Sequence, residues 1–153
     1  YRGNLNTNII YMLHTLDPIV SSAKNVYKAY ERYNLEKPIE ISFKDKYSLE
    51  KRLNESTTIV SKYPNRIPII VERFNRSLPE IDRKKYLAPS DLSVGNFMYV
   101  IRKRIKLKPE KSLYLFFNNK LLPVTTLLES AYDKHKDDDG FLYIKYCEES
   151  TFG

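Results

Sequence analysis

The sequence is poor in the residues that build disulfides, metal centres and catalytic dyads. Cys147 is its one cysteine, and its two histidines, His14 and His135, lie far apart along the chain. A single cysteine excludes an intramolecular disulfide and a site with several thiolate ligands. The acidic residues beside Cys147 favour the thiol over the reactive thiolate. We therefore expect no enzymatic activity and no cofactor, and we expect Cys147 to be partly buried in or near the last strand.

Long apolar runs are also missing. None approaches the 18 or so residues that a membrane-spanning helix needs, and no signal peptide is visible. We therefore expect a cytosolic, reduced setting. Because the first residue is Tyr1 and not Met, we expect the sequence to be a piece of a longer chain.

Acidic residues are too few to balance the basic ones, because the chain has 26 Lys and Arg but only 19 Asp and Glu. The net charge of +7 favours an acidic partner such as nucleic acid, an anionic membrane or an acidic peptide, although a solvated basic surface has the same signature. Nucleic acid has little further support, because "LYLFF" lacks the glycine–aromatic signature of an RNA-recognition sheet. The run Asp137 to Asp139 fails the spacing of a calcium-binding loop, and we interpret it as a solvated turn.

The chain has two unequal parts. Residues 1–41 predict a helical hairpin and a linker, with a second helix that begins at Asp17 and Pro18. The apolar stripe of this second helix comprises Ile19, Val20, Ala23, Val26, Tyr27 and Tyr30. The first part holds five basic and four acidic residues, so six of the seven surplus positive charges belong to residues 42–153.

Residues 42–153 predict alternating helices and strands. "SLEKRLNESTTIVSKY" predicts a helix capped by Ser48, with apolar residues Leu49, Leu53, Ile59, Val60 and Tyr63. Ser93 caps a second predicted helix, and "TLLE" at 126–129 has capping-box spacing and begins a short third one that continues to His135. The predicted strands are Ile67 to Phe74, Arg83 to Ala88, Ser112 to Phe117 and Phe141 to Tyr146.

This order predicts an α+β fold: a ubiquitin-like β-grasp with N-terminal helices, preceded by a helical extension. The right-handed crossover rule places the first and last strands side by side in the middle of the sheet. In such a fold the last strand projects its C-terminus into solvent. We therefore interpret "EESTFG" as a free arm that ends in a conjugation handle, Gly153.

The second part resembles the ubiquitin-like modifiers of autophagy, the family of microtubule-associated protein light chain 3 and the GABA-receptor-associated protein. The matching stretches are "FKDKYSLEKRLNES", "KYPNRIPIIVER", "PEIDRKKYLAPSDLSVGNFMYVIRKRIKL", "LYLFFNNKLLP", "DDDGFLYIKY" and the terminal Phe-Gly. They cover essentially all of residues 42–153, in order, whereas residues 1–41 match nothing in that family.

The resemblance implies a conjugation pathway with several partners. In the family a cysteine protease exposes the C-terminal glycine, and activating and conjugating enzymes carry it as a thioester. The carboxylate is finally joined to the amine of phosphatidylethanolamine, which places the protein on an autophagosome or other vesicle membrane. Because the sequence ends at Gly153, we expect it to represent the processed form.

The resemblance also implies that an edge strand docks cargo receptors through motifs with an aromatic and an aliphatic residue three apart. The aromatic pocket would comprise Glu55, Ile59, Pro68, Leu87 and Phe141, with Lys85 closing over it. The aliphatic pocket would comprise Tyr86, Ala88, Pro89, Leu92, Phe97 and Val100. The acidic flank of the motif would meet Arg66, Arg83, Lys85 and Arg104.

Two residues depart from the family pattern. Ala88 stands where the family usually has valine, which predicts a wider aliphatic pocket. Arg83 replaces a lysine that is common at the gate of the aromatic pocket, and its bidentate hydrogen bonding predicts a different preference.

Alternatives stay open for both parts of the chain. For residues 42–153, the rival is a non-conjugated basic ubiquitin-like adaptor that binds microtubules or RNA. For residues 1–41, the extension is a native addition packed on the domain, an unrelated element or a fused partner segment. It lacks an aromatic-x-x-aliphatic motif, but Val26, Tyr27 and Tyr30 lie on one face of the predicted helix, so a helix laid in the two pockets is a further alternative. We expect the helices to pack on the domain or to mediate self-association.

Overall fold

The computed structural model describes residues 40–74 and 78–148. The helices are α1 (Phe43–Lys46), α2 (Leu49–Lys62), α3 (Val94–Arg104) and α4 (Leu128–His135). The strands are β1 (Arg66–Arg73), β2 (Lys85–Pro89), β3 (Leu113–Phe117), β4 (Lys120–Leu121) and β5 (Leu142–Glu148). The helical extension lies outside the described residues apart from its last two positions, and so does the tail that contains Gly153.

The strands form one mixed sheet in the order β2-β1-β5-β3-β4. β1 and β5 are parallel neighbours at its centre, with Ile69 opposite Leu142, and β2 and β3 pair antiparallel on either side of them. The predicted β-grasp topology is therefore confirmed. The sequence analysis missed α1 and β4, and the two residues of β4 make the sheet five-stranded instead of four-stranded.

Two of the three predicted helices begin at a residue whose side chain caps the helix. The hydroxyls of Ser48 and Ser93 each accept a hydrogen bond from a backbone N–H in the first turn of α2 and α3, as predicted. The capping box predicted at 126–129 is wrong, because Leu127 is the N-cap of α4 and makes no side-chain cap. Backbone carbonyls of the β2–α3 loop accept from the first N–H groups of α4 instead.

The main core lies between one face of the sheet and α3. Phe97 and Ile101 of α3 are buried in the same cluster as Ile69, Val71 and Ile144 of the central strands. A smaller cluster lies on the opposite face, where Phe43, Ile70 and Phe141 are buried and Tyr47, Ile59 and Tyr143 pack around them. The sheet is therefore covered on both faces.

α2 does not bury the apolar stripe that its sequence predicts. Leu49 is 50% exposed, Leu53 38%, Val60 37% and Tyr63 42%. Ile59 packs against the smaller cluster, while the one fully buried residue of the helix is Ser56. Among the described residues no helix combines the length and apolarity needed to cross a membrane.

Candidate functional site

β2 is an edge strand. It pairs with β1 on one side, and among residues 40–74 and 78–148 no strand pairs with its other side. Its side chains alternate between the two faces of the sheet, with Pro68 opposite Leu87 and Ile69 opposite Tyr86. Lys85 and Leu87 therefore project towards the face that carries α1 and α2. Tyr86 and Ala88 project towards the face that carries α3.

The first face carries an aromatic cluster beside β2. The rings of Phe43 and Phe141 meet edge to face with centroids 5.5 Å apart, and Tyr47 lies 4.9 Å from Phe43. Of the residues predicted for the aromatic pocket, Phe141 and Pro68 are buried, whereas Glu55 and Ile59 are half-buried and Leu87 is exposed. Phe141 is only 1% exposed, so it forms the floor of this surface.

The ammonium of Lys85, the residue predicted to close over the aromatic pocket, lies over the aromatic cluster. This ammonium lies 2.6 Å from a carboxylate oxygen of Glu55 and 5.3 and 5.7 Å from the ring centroids of Phe43 and Tyr47. The pair is half exposed on the lysine side, and such pairs contribute about 0.2–1 kcal/mol, so an incoming ligand can displace it at small cost. The sequence analysis missed Phe43 and Tyr47, although the aromatic pair four apart in "FKDKY" signals one face of a short helix.

The second face carries Tyr86, Ala88 and Phe97 of the residues predicted for the aliphatic pocket, whereas the alternation along β2 places Pro89 on the first face with Lys85 and Leu87. Tyr86 and Phe97 meet edge to face with centroids 5.6 Å apart, and Ala88 is buried beside them in the main core. Leu92, Pro89 and Val100 are half-buried and so remain partly accessible. Tyr86 and Ala88, predicted for the aliphatic pocket, thus lie on the opposite face of β2 from Lys85 and Leu87, predicted for the aromatic pocket.

The Tyr86 hydroxyl is buried and has no hydrogen-bond partner among the described residues. Burial raises the pKa of Tyr86, and the positive charges of Arg104 and Arg83 oppose that rise. A buried hydroxyl without a partner costs free energy.

The structure separates the predicted cations into two groups. Arg66 lies opposite Pro89 at one end of β2, and Lys85 lies at the other end, about 13 Å away for four residues of strand. Arg83 is exposed just before the strand, and Arg104 is 3.1 Å from Asp82. A short acidic flank that reaches Arg83 and Lys85 therefore does not reach Arg66.

The sequence predicts a solvated turn at Asp137 to Asp139, but in the structure only part of this turn is exposed to solvent. Asp139 is completely buried, and its carboxylate accepts hydrogen bonds from Arg52 at 2.5 Å, from the backbone of Phe141 at 2.9 Å and from the Tyr143 hydroxyl. Burial, together with the hydrogen bond to Asp139, raises the pKa of Tyr143. Asp139 therefore ties α2 to β5, while Asp138 is exposed as expected.

Cys147 is fully buried in β5, more completely than the sequence analysis expected. Burial raises the pKa of its thiol well above the usual value, and the negative charge of Glu148 adds to this effect. A thiolate at this position is therefore disfavoured. Within the described ranges, no group of three or more His, Cys, Asp or Glu side chains is arranged to hold a metal ion.

The C-terminal residues of β5 lie at one end of the sheet. Its last residue, Glu148, lies opposite Leu113 of β3, and Tyr146 lies beside Arg73 of β1. The predicted conjugation residue, Gly153, follows five positions later and lies outside the described residues.

Comparisons with known proteins agree on one family. A family model described as "Autophagy protein Atg8 ubiquitin like" matches residues 51–153. Autophagy-related protein 8d of Arabidopsis thaliana is 56% identical over 113 residues, which are 73% of this chain and 94% of the relative. Autophagy-related protein 8 of Schizosaccharomyces pombe is 55% identical over 112 residues, which are 72% and 93% of the two chains.

Two solved structures share the fold. Trypanosoma brucei ATG8 superimposes with a TM-score of 0.68 at 40% identity and covers 75% of this chain and 100% of its own. Plasmodium falciparum Atg8, solved in complex with a Plasmodium falciparum Atg3 peptide, gives a TM-score of 0.65 at 40% identity and covers 71% and 96%.

Proposed function

Because the chain belongs to the Atg8 family of autophagy ubiquitin-like proteins, we propose that it is conjugated through Gly153 to phosphatidylethanolamine and that β2 docks cargo receptors. The family relationship supports the conjugation. The observation that carries the docking proposal is the open edge of β2, which has a hydrophobic cluster with partly exposed members on each face of the sheet.

The activating enzyme would use ATP to convert the Gly153 carboxylate into an acyl adenylate, and an enzyme thiol would displace AMP to give a thioester. After transfer to the conjugating enzyme, the lipid amine would attack the thioester carbonyl, forming the amide and releasing the enzyme thiol. The product carries two acyl chains. One chain holds a protein only weakly, whereas two chains, at about 0.8 kcal/mol for each buried CH₂, anchor it stably. The protein acts in this reaction as the substrate, and we propose that it has no catalytic activity of its own.

We further infer the partners and the location that this reaction requires. They are a processing cysteine protease, the activating and conjugating enzymes and a membrane that contains phosphatidylethanolamine. The complex of the Plasmodium relative with an Atg3 peptide supports binding to conjugation enzymes. The protein would be cytoplasmic before conjugation and on an autophagosome or other vesicle membrane afterwards.

Docking would add an extended peptide to β2 as a new edge strand. Main-chain hydrogen bonds to the open edge supply affinity, and alternate side chains of the peptide enter the two surfaces. An aromatic residue would displace Lys85 from its position over Phe43 and Tyr47, and an aliphatic residue three positions later would contact Leu92 and the Tyr86 side of the sheet.

The docking proposal is tested with the double variant Tyr86→Ala/Leu87→Ala, which removes one side chain from each surface. Affinity for an aromatic-x-x-aliphatic peptide, measured by calorimetry, is expected to fall at least about 100-fold, because truncating a central contact residue costs about 2 kcal/mol or more. Tyr99→Ala is the matched control, since Tyr99 is 59% exposed on α3 and belongs to neither surface. Equal affinity in the double variant and the wild type would remove the assignment of the pockets.

Conjugation is tested by incubating the protein with activating and conjugating enzymes, ATP and liposomes that contain phosphatidylethanolamine. The wild type is expected to give a faster-migrating lipidated band, and Gly153→Ala is expected to give none. The rival adaptor function predicts an unmodified wild type that binds RNA or tubulin strongly at low salt and weakly at high salt. That outcome would replace the conjugation proposal.

A further inference from the structure

The positive charge of the domain is concentrated in one short stretch. Residues 102–111 hold six basic residues and one acidic residue, so they account for five of the six surplus positive charges of residues 42–153. The stretch comprises the last turn of α3 and most of the loop that leads to β3. The excess charge is therefore a property of one place on the surface, and the rest of the domain is nearly neutral.

Three lysines of this stretch are exposed and make no ion pair with the described residues: Lys103, Lys106 and Lys108. We call these three lysines the basic cluster. The two arginines beside them are already engaged. The guanidinium of Arg104 lies 3.1 Å from a carboxylate oxygen of Asp82, and that of Arg102 donates to carbonyls of the loop. The ammonium groups of the cluster are therefore the cations that an anionic partner can reach.

A hydrogen-bonded turn carries the basic cluster. Lys106 has a φ of 54°, and the N–H of Leu107 donates to the carbonyl of Arg102 at 3.1 Å, which ends α3 in the way that usually employs a glycine. A residue with a side chain adopts this left-handed conformation only at a cost in free energy. The N–H of Lys111 then donates to the carbonyl of Lys108 at 3.0 Å. The lysine side chain at 106 is thus retained where glycine would be less strained.

The helix dipole explains only part of this charge. Lys103 lies in the last turn of α3, where a cation is favourable. Lys108 lies four positions beyond the last residue of the helix, and the effect of the dipole is confined to the last turn. Like charges so close together repel one another, so the cluster favours a partner that supplies negative charge.

The cluster lies at the end of the sheet where β5 ends. Leu113, the first residue of β3, is opposite Glu148, the last residue of β5. Gly153 follows five positions after Glu148, and five residues span at most about 18 Å. A lipid joined to Gly153 would therefore hold this end of the sheet within about 18 Å of the bilayer surface.

We propose that the basic cluster contacts the headgroups of anionic lipids, so that the conjugated domain stands on the membrane with this end of the sheet towards the surface. The inference rests on the proposed conjugation, because attraction between exposed charges extends only about 8 Å at physiological ionic strength and the tether brings the cluster into that range. Phosphatidylserine is a suitable headgroup, since its phosphate and carboxylate both accept hydrogen bonds from ammonium groups. The proposal is separate from cargo docking, because none of the three lysines lies on β2.

A chemical tether tests the contact without the conjugation enzymes. Gly153→Cys is coupled to a maleimide derivative of phosphatidylethanolamine in liposomes. The native Cys147 does not compete, because its thiol is fully buried and burial raises its pKa well above the usual value. Acetylation of the tethered protein with a neutral N-hydroxysuccinimide ester, followed by mass spectrometry, then measures which lysine amines are covered.

On liposomes rich in phosphatidylserine, acetylation of the basic cluster is expected to be at least about fivefold slower than on phosphatidylcholine liposomes. Lys62 is the internal control, because it is exposed and precedes β1, at the opposite end of the sheet. Its rate is expected to change less than about twofold. Equal rates for the cluster on both kinds of liposome would overturn the proposal, and so would equal slowing of Lys62.

Two triple variants with the same net charge separate the site from the overall charge. The first replaces the three lysines of the basic cluster by glutamine, and the second replaces three exposed lysines elsewhere: Lys62, Lys134 and Lys136. Affinity of the uncoupled full chain for phosphatidylserine liposomes, measured by co-sedimentation at low salt, is expected to fall at least about tenfold in the first and less than about threefold in the second. Equal losses would assign binding to net charge and contradict the proposal.

The remaining outcomes distinguish this inference from the proposed conjugation. Slowed acetylation of the tethered cluster, without a lipidated band in the enzyme assay, would refute the conjugation alone. A lipidated band with unchanged acetylation of the cluster would refute the contact alone. Protection of the cluster by an RNA oligonucleotide, but not by phosphatidylserine liposomes, would assign it to nucleic acid and contradict the proposal.

Discussion

Asp139 shows how far the role of one residue depends on contacts that are remote in sequence. "DDDG" is typical of an exposed turn, and Asp138 agrees with that interpretation. Asp139 does not, because Arg52, 87 positions earlier, supplies a buried ionic partner. Nothing in the sequence near either residue indicates this pair. The position of a buried charge is therefore a property of the tertiary structure that local patterns do not contain.

Asp139→Asn is expected to lower the free energy of unfolding by about 1–3 kcal/mol, because Arg52 and the Tyr143 hydroxyl lose a charged acceptor in a buried site. Asp138→Asn is the matched control at the exposed neighbour, and a change within about 0.5 kcal/mol is expected. Urea unfolding measures both values. If the two variants lost equal stability, the structural role of Asp139 would be refuted.

His135 gives the protein a pH dependence at the end of α4. Burial lowers its pKa, and the positive charges of Lys120 and Lys134 lower it further. The unfolded chain therefore binds the proton more readily than the folded one, and stability is expected to fall as the pH drops below the ordinary histidine value of about 6.5.

His135→Gln tests this dependence, because glutamine does not titrate. The loss of unfolding free energy between about pH 7.5 and about pH 5.5 is expected to be smaller in the variant than in the wild type. His14 is the same in both proteins and cancels in the comparison. Equal losses would show that protonation of His135 is not linked to folding.

At the scale of elements, the sequence predicts best those helix starts that depend on residues close together in the chain. Ser48 and Ser93 cap their helices as expected, because the cap and its N–H partner are three residues apart. The start of α4 was mispredicted because carbonyls of Leu92 and Ser90, far away in sequence, accept from its first N–H groups. β4 was missed because two residues carry no periodicity, and β3 alone defines that strand by pairing with it.

The side chain of Arg102 contacts the loop between α3 and β3. The guanidinium of Arg102 donates to the carbonyl of Lys111 at 2.7 Å and to that of Lys108 at 3.1 Å. In the sequence Arg102 is the first of three consecutive basic residues, "RKR". In the structure it fixes the loop backbone, which leads into the strand beside the C-terminal end of β5.

Arg102→Met is expected to speed hydrogen exchange in the 106–112 loop about tenfold, because charge-assisted hydrogen bonds to two carbonyls are lost. Lys103→Met is the control, since the ammonium of Lys103 lies 4.6 Å from the Tyr99 ring centroid and is not part of the loop contacts described for Arg102. Equal exchange in both variants would show that Arg102 does not hold the loop.

At the scale of the whole molecule, the order of strands places the candidate site. The crossover rule predicted β1 and β5 as central neighbours, which leaves β2 at the edge. The resemblance supplied the pocket residues, and the register explains their division, since Tyr86 and Leu87 project to opposite faces. Two features depend on three-dimensional packing and were not predictable from periodicity. They are the ion pair between Lys85 and Glu55 and the Tyr86 hydroxyl, which has no hydrogen-bond partner among the described residues.

The proposed function requires two parts of the molecule, the open edge of β2 and Gly153, to act together in bringing a cargo receptor to a membrane. Recruitment of a fluorescent aromatic-x-x-aliphatic peptide to liposomes, after incubation with the conjugation enzymes and ATP, measures this combined action directly.

Peptide fluorescence is expected on liposomes that carry the wild-type protein. Background fluorescence is expected with Gly153→Ala, which cannot be conjugated, and with Tyr86→Ala/Leu87→Ala, which is conjugated but cannot dock the peptide. Equal recruitment by the wild type and either variant would contradict the account, and so would conjugated wild-type protein that recruits no peptide.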